Sequence, residues 1–155
     1  RNPIDWLYSF FNNQYHLPFY ENVNSFLFDE FYSINDDNSI MLNDLNFKTG
    51  EKYKNIFEMR KIKNDYLLND MPKLVKNYVL IDYDELSKNP FDFLNNLKLR
   101  FSLNVKEVQF KNILYYKQNV DQEYIKNNAT FDDEIIETIK NNLDKEQEQK
   151  LNYVV

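Results

Sequence analysis

Tyr78-Val79-Leu80-Ile81, running into Asp82-Tyr83-Asp84-Glu85-Leu86, is the stretch on which the fold class turns. A short apolar run without alternation is the pattern of a strand buried on both faces, as in a parallel sheet. Just downstream, Asn89-Pro90 pairs a good N-cap with a residue suited to the first helical position. Phe93, Leu94, Leu97 and Phe101 then lie at helical spacing and predict an inward face. Upstream, a helix is expected from Glu51 to about Asn69, with Tyr53, Ile56, Phe57, Met59, Ile62 and Tyr66 on its stripe. Pro72 bounds it, and a short helical piece follows up to Lys76. A strand set among helices predicts an α/β domain. A lone strand cannot satisfy its own backbone, and a parallel partner needs a crossover connection. The missing strands are therefore expected upstream of Arg1, which makes residues 1–155 the helix-rich C-terminal part of such a domain.

Further outward, Arg1-Asn2-Pro3-Ile4-Asp5-Trp6-Leu7-Tyr8-Ser9-Phe10-Phe11 reads as a helix start with a cation at its mouth. Asn2 is the expected N-cap and Pro3 the first helical residue. Asp5 sits where the helix dipole favours a carboxylate. Arg1 lies before that positive end, so backbone donors and a guanidinium are expected to converge on one anion, with Ser9 near enough to add a hydroxyl. The helix is predicted to run to about His16 and to stop at Leu17-Pro18. A second, aromatic helix is expected over Val23–Tyr32, and a loop over Asn35–Gly50. Val105–Asn127 reads as strand or helix alike. Thr130 and Asp133 have capping-box spacing ahead of a final helix to about Leu151, with Ile135, Ile136, Ile139 and Leu143 on its buried stripe.

Composition narrows the function classes. Apolar residues make up 43% of the chain and aromatics 17%, ample for a packed core. The formal charge of −6 argues against a non-specific nucleic-acid binder, so an anionic ligand needs a local positive site. The absence of cysteine excludes disulfides and thiol chemistry. No apolar run approaches the roughly 20 residues of a membrane-spanning helix. Asn, Lys, Ile, Tyr and Phe are enriched while glycine occurs once, a bias expected of an AT-rich genome.

Three ordered segments resemble P-loop sulfotransferases, the enzymes that use 3′-phosphoadenosine-5′-phosphosulfate (PAPS). Arg1-Asn2-Pro3-Ile4-Asp5 with Ser9 is similar to the family's 3′-phosphate-binding motif. Tyr78 to Leu86, with Asn89-Pro90 and Phe93-Leu94, resembles its strand, Tyr-Glu-Asp-Leu turn and following helix. Ile135 to Tyr153 resembles a closing helix that ends in Leu-Gly-Tyr, with Asn152 in place of Gly. Phe57-Glu58-Met59-Arg60-Lys61-Ile62-Lys63 resembles the helix before the strand in microbial and viral-type members.

The resemblance implies a P-loop NTPase-like three-layer parallel sheet with helices on both faces, of which this chain is one partial domain. It implies PAPS as cofactor, with Arg1 and Ser9 holding the nucleotide's 3′-phosphate, and transfer of a sulfuryl group to an acceptor hydroxyl or amine. The acceptor stays open among carbohydrate, protein and small molecule. The family's Gly-rich loop, its Lys and its usual base lie before the Arg-Asn-Pro segment, so no catalytic residue is assigned. The alternative is an inactive sulfotransferase-like scaffold or interaction module.

Other residues invite roles that blander readings also explain. His16 is the single histidine, expected at a helix end where the dipole favours it whether or not it acts as a base. Asp82, Asp84 and Glu85 form an acidic turn that caps a helix as readily as it binds metal, and no metal is assigned. Trp6 and the aromatic 26–32 stretch suit either an acceptor pocket or the core.

Overall fold

The computed structural model describes residues 2–104 and 130–153. Arg1, the ambiguous stretch 105–127, and residues 128–129 and 154–155 lie outside the described residues. The chain divides into two compact units, residues 1–80 with 131–155, and residues 81–130.

The larger unit is built from helices: α1 (Pro3–Asn12), α2 (Val23–Phe28), α3 (Ile56–Asp65), α4 (Met71–Leu74), and, after the second unit, α7 (Asp133–Asn142) and α8 (Lys145–Lys150). Asparagine and aspartate side chains start most of them. Asn2, Asn22, Asn55, Asp132 and Asp144 each accept a backbone N–H from the first turn of the helix that follows. The asparagine bias thus supplies caps, where Asn and Asp outrank nearly every other residue.

Apolar faces of these helices meet in one aromatic core. Leu7, Phe26, Leu27, Phe31, Tyr53, Ile56 and Ile139 are all but sealed from solvent. Phe26 stands edge-on to Phe10 and Tyr20, with ring centroids 5.9 and 5.7 Å apart, and Tyr8 meets Phe131 edge-on at 5.1 Å. Edge-to-face contacts of this kind add to plain area burial.

The three-layer parallel sheet is overturned. Among the described residues there is no strand and no sheet; pairing is confined to isolated bridges, Phe31 with Tyr53 and Ile34 with Ile40. Residues 78–81 adopt no regular structure, and Leu80 and Ile81 are each 40% exposed. An apolar run becomes a doubly buried strand only when partners bind both its edges. Here the core is filled instead by helix faces together with loop residues such as the bridged pair Phe31 and Tyr53.

Several boundaries also differ from expectation. α1 ends at Asn12, four residues short of His16. The final helix is two helices, because Asp144 turns its carboxylate onto the Gln147 N–H and caps a new start. Asp132, not Thr130, caps α7 through the Ile135 N–H. Pro72 does not end the helix before it. α3 continues as a π-helical turn, Tyr66–Asp70, into α4. The Met71 N–H bonds the Tyr66 carbonyl, and Pro72 stands in the first turn of α4, where its missing N–H costs little. The carbonyl of Leu67, five residues before a proline that cannot donate, accepts from the Tyr78 hydroxyl at 2.7 Å.

The smaller unit holds α5 (Tyr83–Lys88) and α6 (Pro90–Arg100), packed on each other, with Asn89 as the expected cap of α6. Phe93 and Leu97 are half-buried and Leu94 is 44% exposed, so the inward face of α6 is only partly covered.

Candidate functional site

The start of α1 is built much as its residues dictate, with one consequence for anion binding. Asn2 Oδ1 accepts from the Ile4 N–H at 2.9 Å and the Asp5 N–H at 3.4 Å. The Trp6 N–H bonds the Asn2 carbonyl at 3.0 Å, and Pro3 has no N–H. Every donor of the first turn is therefore committed within the chain. With these N–H groups so occupied, the dipole and side chains are left to attract an anion.

Ser9 lies six residues beyond Pro3, about 9 Å along the axis at the usual helical rise. It is partly exposed, and among the described residues its hydroxyl has no hydrogen-bond partner. Its carbonyl takes the Asn13 side-chain amide at 2.9 Å. Asp5, one turn earlier, shares its face. Arg1, the other predicted ligand, lies outside the described residues.

The remaining candidates resolve toward packing. Trp6 is covered: the Arg60 guanidinium lies 5.0 Å from its ring centroid and Phe10 lies 5.6 Å away. Phe26 and Phe31 are core. His16 sits in a turn beyond α1 at φ 59, with Nδ1 3.6 Å from Asp36 Oδ1 and half its side chain exposed, so the dipole of α1 does not reach it as expected. The Asp82 carbonyl accepts the Leu86 N–H at 3.0 Å, which places the acidic turn at the start of α5. Gly50, at φ 76, closes a turn by donating to the Asn46 carbonyl at 2.7 Å, a use unrelated to a phosphate loop. Among the described residues no three His, Asp or Glu groups are placed to hold a metal ion.

Two polar clusters went unread in the sequence. Arg60 on α3 makes a two-pronged ion pair with Glu148 on α8, Nε to Oε1 at 2.6 Å and Nη2 to Oε2 at 2.7 Å. The side chains are 10% and 1% exposed. Beside it, Lys61 pairs with Asp144, and the Gln147 amide donates to the Lys61 carbonyl at 3.0 Å. The available signal was Arg60 falling on the apolar stripe of Ile56 and Met59, where a charge needs a partner.

The second cluster fastens the long loop to α3. Asp44 accepts from the Ser33 hydroxyl at 2.5 Å and from Lys63 Nζ at 2.6 Å. Partial burial pushes its carboxyl up, but the hydrogen bonds from Lys63 and Ser33 outweigh that and hold it below the usual aspartate range.

No helix among the described residues is long and apolar enough to cross a membrane. No protein-family model, no curated protein and no solved structure matches the chain.

Proposed function

We propose that this chain carries the 3′-phosphate-binding part of a PAPS-dependent sulfotransferase. The observation that carries the reading is Ser9: a hydroxyl without a hydrogen-bond partner among the described residues, on a helix that begins at Asn2-Pro3 directly after Arg1. The reading rests on this local motif and its order with the later segments, not on a sheet. The closing segment adds support, because Asn152 stands at φ 64, a conformation that otherwise favours the glycine of the resembling sequences.

In this role Arg1 supplies the charge and Ser9 a donor to the 3′-phosphate. Such a contact holds donor and by-product alike, so it sets affinity and position more than rate. In the reaction, an acceptor oxygen or nitrogen attacks sulfur. The bond from sulfur to the 5′-phosphate oxygen breaks, its electron pair leaves with adenosine 3′,5′-bisphosphate, and the acceptor proton passes to a base. The Gly-rich loop and its Lys are not found in residues 1–155, so this stretch alone is expected to bind nucleotide without turnover.

Calorimetry tests the proposal. Adenosine 3′,5′-bisphosphate should bind more tightly than adenosine 5′-monophosphate, and Arg1→Ala should weaken that binding by about 1.5–3 kcal/mol, the scale of a charge-assisted contact. Ser9→Ala should weaken it by about 1 kcal/mol. Equal affinity for the two nucleotides, or indifference to Arg1→Ala, rejects the reading.

A further inference from the structure

On the larger unit, well along the chain from the start of α1, Pro18, Phe19, Tyr20, Asp29, Glu30 and Tyr32 line an open groove of about 440 Å³. We infer that this groove binds an arginine side chain presented by a partner peptide.

The groove is preformed. Leu17 and Tyr20 are buried on either side of Pro18-Phe19. The Gln14 side chain brackets Tyr20, accepting its N–H at 2.9 Å and donating to its carbonyl at 3.1 Å. The Tyr20 hydroxyl donates to the Glu30 carbonyl at 2.9 Å, tying the Phe19 segment to the acidic wall. Held between two anchored neighbours, the Phe19 ring remains 82% exposed. An apolar ring kept in water beside a fixed wall is a surface suited to being covered.

The chemistry of the lining selects a cation. The chain already seats one there: Lys52 Nζ lies 3.1 Å from Glu30 Oε2 and 4.1 Å from the centroid of Tyr32. That ammonium uses one carboxylate and one ring. The Asp29 carboxylate, by contrast, has no hydrogen bond or ion pair among the described residues, and the Phe19 ring carries no stacked partner there. Two carboxylates against one ammonium leave the groove negative, in line with the net charge of −6. A phosphate or nucleic acid is repelled.

Arginine fits what is left better than lysine. Its planar guanidinium stacks on an aromatic face and forks onto a carboxylate, while an ammonium is a strongly hydrated point charge. The open side admits a side chain carried on a backbone, and the volume accepts a guanidinium with its three-carbon stem.

The test uses the whole chain, 15N-labelled, titrated with acetyl-Gly-Arg-Gly-amide and with the same peptide carrying citrulline or lysine. Amide shifts should cluster at residues 19–20 and 29–32 with the arginine peptide and be much smaller with the neutral citrulline isostere. Asp29→Asn should weaken binding about tenfold, the loss of a charge-assisted contact. Phe19→Ala should weaken it about threefold, the scale of an exposed cation–π contact. Both positions are exposed, and an unchanged spectrum elsewhere verifies the fold. Citrulline or lysine binding as well as arginine overturns the inference, and so does an affinity indifferent to both substitutions. Neither result bears on nucleotide binding, which draws on Arg1 and Ser9.

Discussion

Arg60 and Glu148 show what a single buried contact contributes and what it does not. Both charges are taken almost fully from water, and the attraction between them does little more than offset that loss. Breaking the pair is another matter, because the surviving charge stays buried without its partner. Glu148→Gln should therefore cost about 3–5 kcal/mol in urea unfolding, whereas the double change Arg60→Met with Glu148→Leu should cost much less. A loss under about 1 kcal/mol for the single change would show that water reaches the guanidinium, contrary to its 10% exposure. Trp6 shares the fate of this pair, since Arg60 bridges its ring and the Glu148 carboxylate. The link holds α1, α3 and α8 in one cluster, and α1 carries Ser9. Arg60 was legible as a charge on an apolar stripe; its partner 88 residues away was not, because periodicity reports faces and not which faces meet.

Among elements, the helix starts marked by an Asn-Pro pair were readable, while the start of α3, at Ile56 and not Glu51, and most helix ends were not. Asn2-Pro3 and Asn89-Pro90 do as their chemistry says, since one side chain and one fixed dihedral suffice to begin a helix. Ends depend on longer-range competition. The split at Leu143-Asp144 and the π turn before Pro72 both arise where a second hydrogen-bonding solution displaces continued α-helix. The end of α8 is the clearest case. The Tyr153 N–H bonds the Glu148 carbonyl at 2.9 Å and the Asn152 N–H bonds the Gln149 carbonyl at 3.0 Å, with Asn152 at φ 64 between them. These are the paired bonds of a Schellman ending, with the apolar Tyr153 buried behind them. Asn152→Ala should cost about 1 kcal/mol, because a Cβ without a local polar partner is strained there. Asn152→Gly should be neutral or slightly stabilising. Thermal melts in which Ala and Gly behave alike would mean that the left-handed turn is not retained in solution.

At the scale of the molecule, the strand reading failed because an apolar tetrapeptide is defined by its partners. Tyr78 to Ile81 has the composition of a doubly buried strand, yet among the described residues no second strand exists to accept it, and aromatic helix faces together with loop residues fill the core. Aromatic clustering over 26–32 foretold that core better than the strand pattern foretold a sheet. What the folded chain adds is a set of local and long-range contacts to titrating groups, and these shape the pH range of stability. Among the described residues four carboxylates are held below their ordinary range: Asp37 by Ser39, Asp44 by Lys63 and Ser33 against partial burial, Asp65 by Lys48, and Glu146 by Lys150. A depressed folded pKa stabilises the fold above the unfolded value and loses that contribution as pH falls through the folded one. The urea midpoint should thus be flat near neutrality and fall below about pH 4. Tyr20 and Tyr53 set the other edge. Burial raises both phenols, that of Tyr20 strongly, with the charges of Tyr32, Asp29 and Glu30 adding to it. Stability linked to a raised pKa is complete below the unfolded value and is lost as pH climbs past it, so the midpoint should fall again above about pH 10. Tyr20→Phe removes the titrating group and should shift the alkaline edge upward, at the expense of the hydrogen bond to the Glu30 carbonyl at neutral pH. A midpoint that rises between pH 5 and 3, or an alkaline edge unmoved by Tyr20→Phe, would show that these groups are as solvated folded as unfolded.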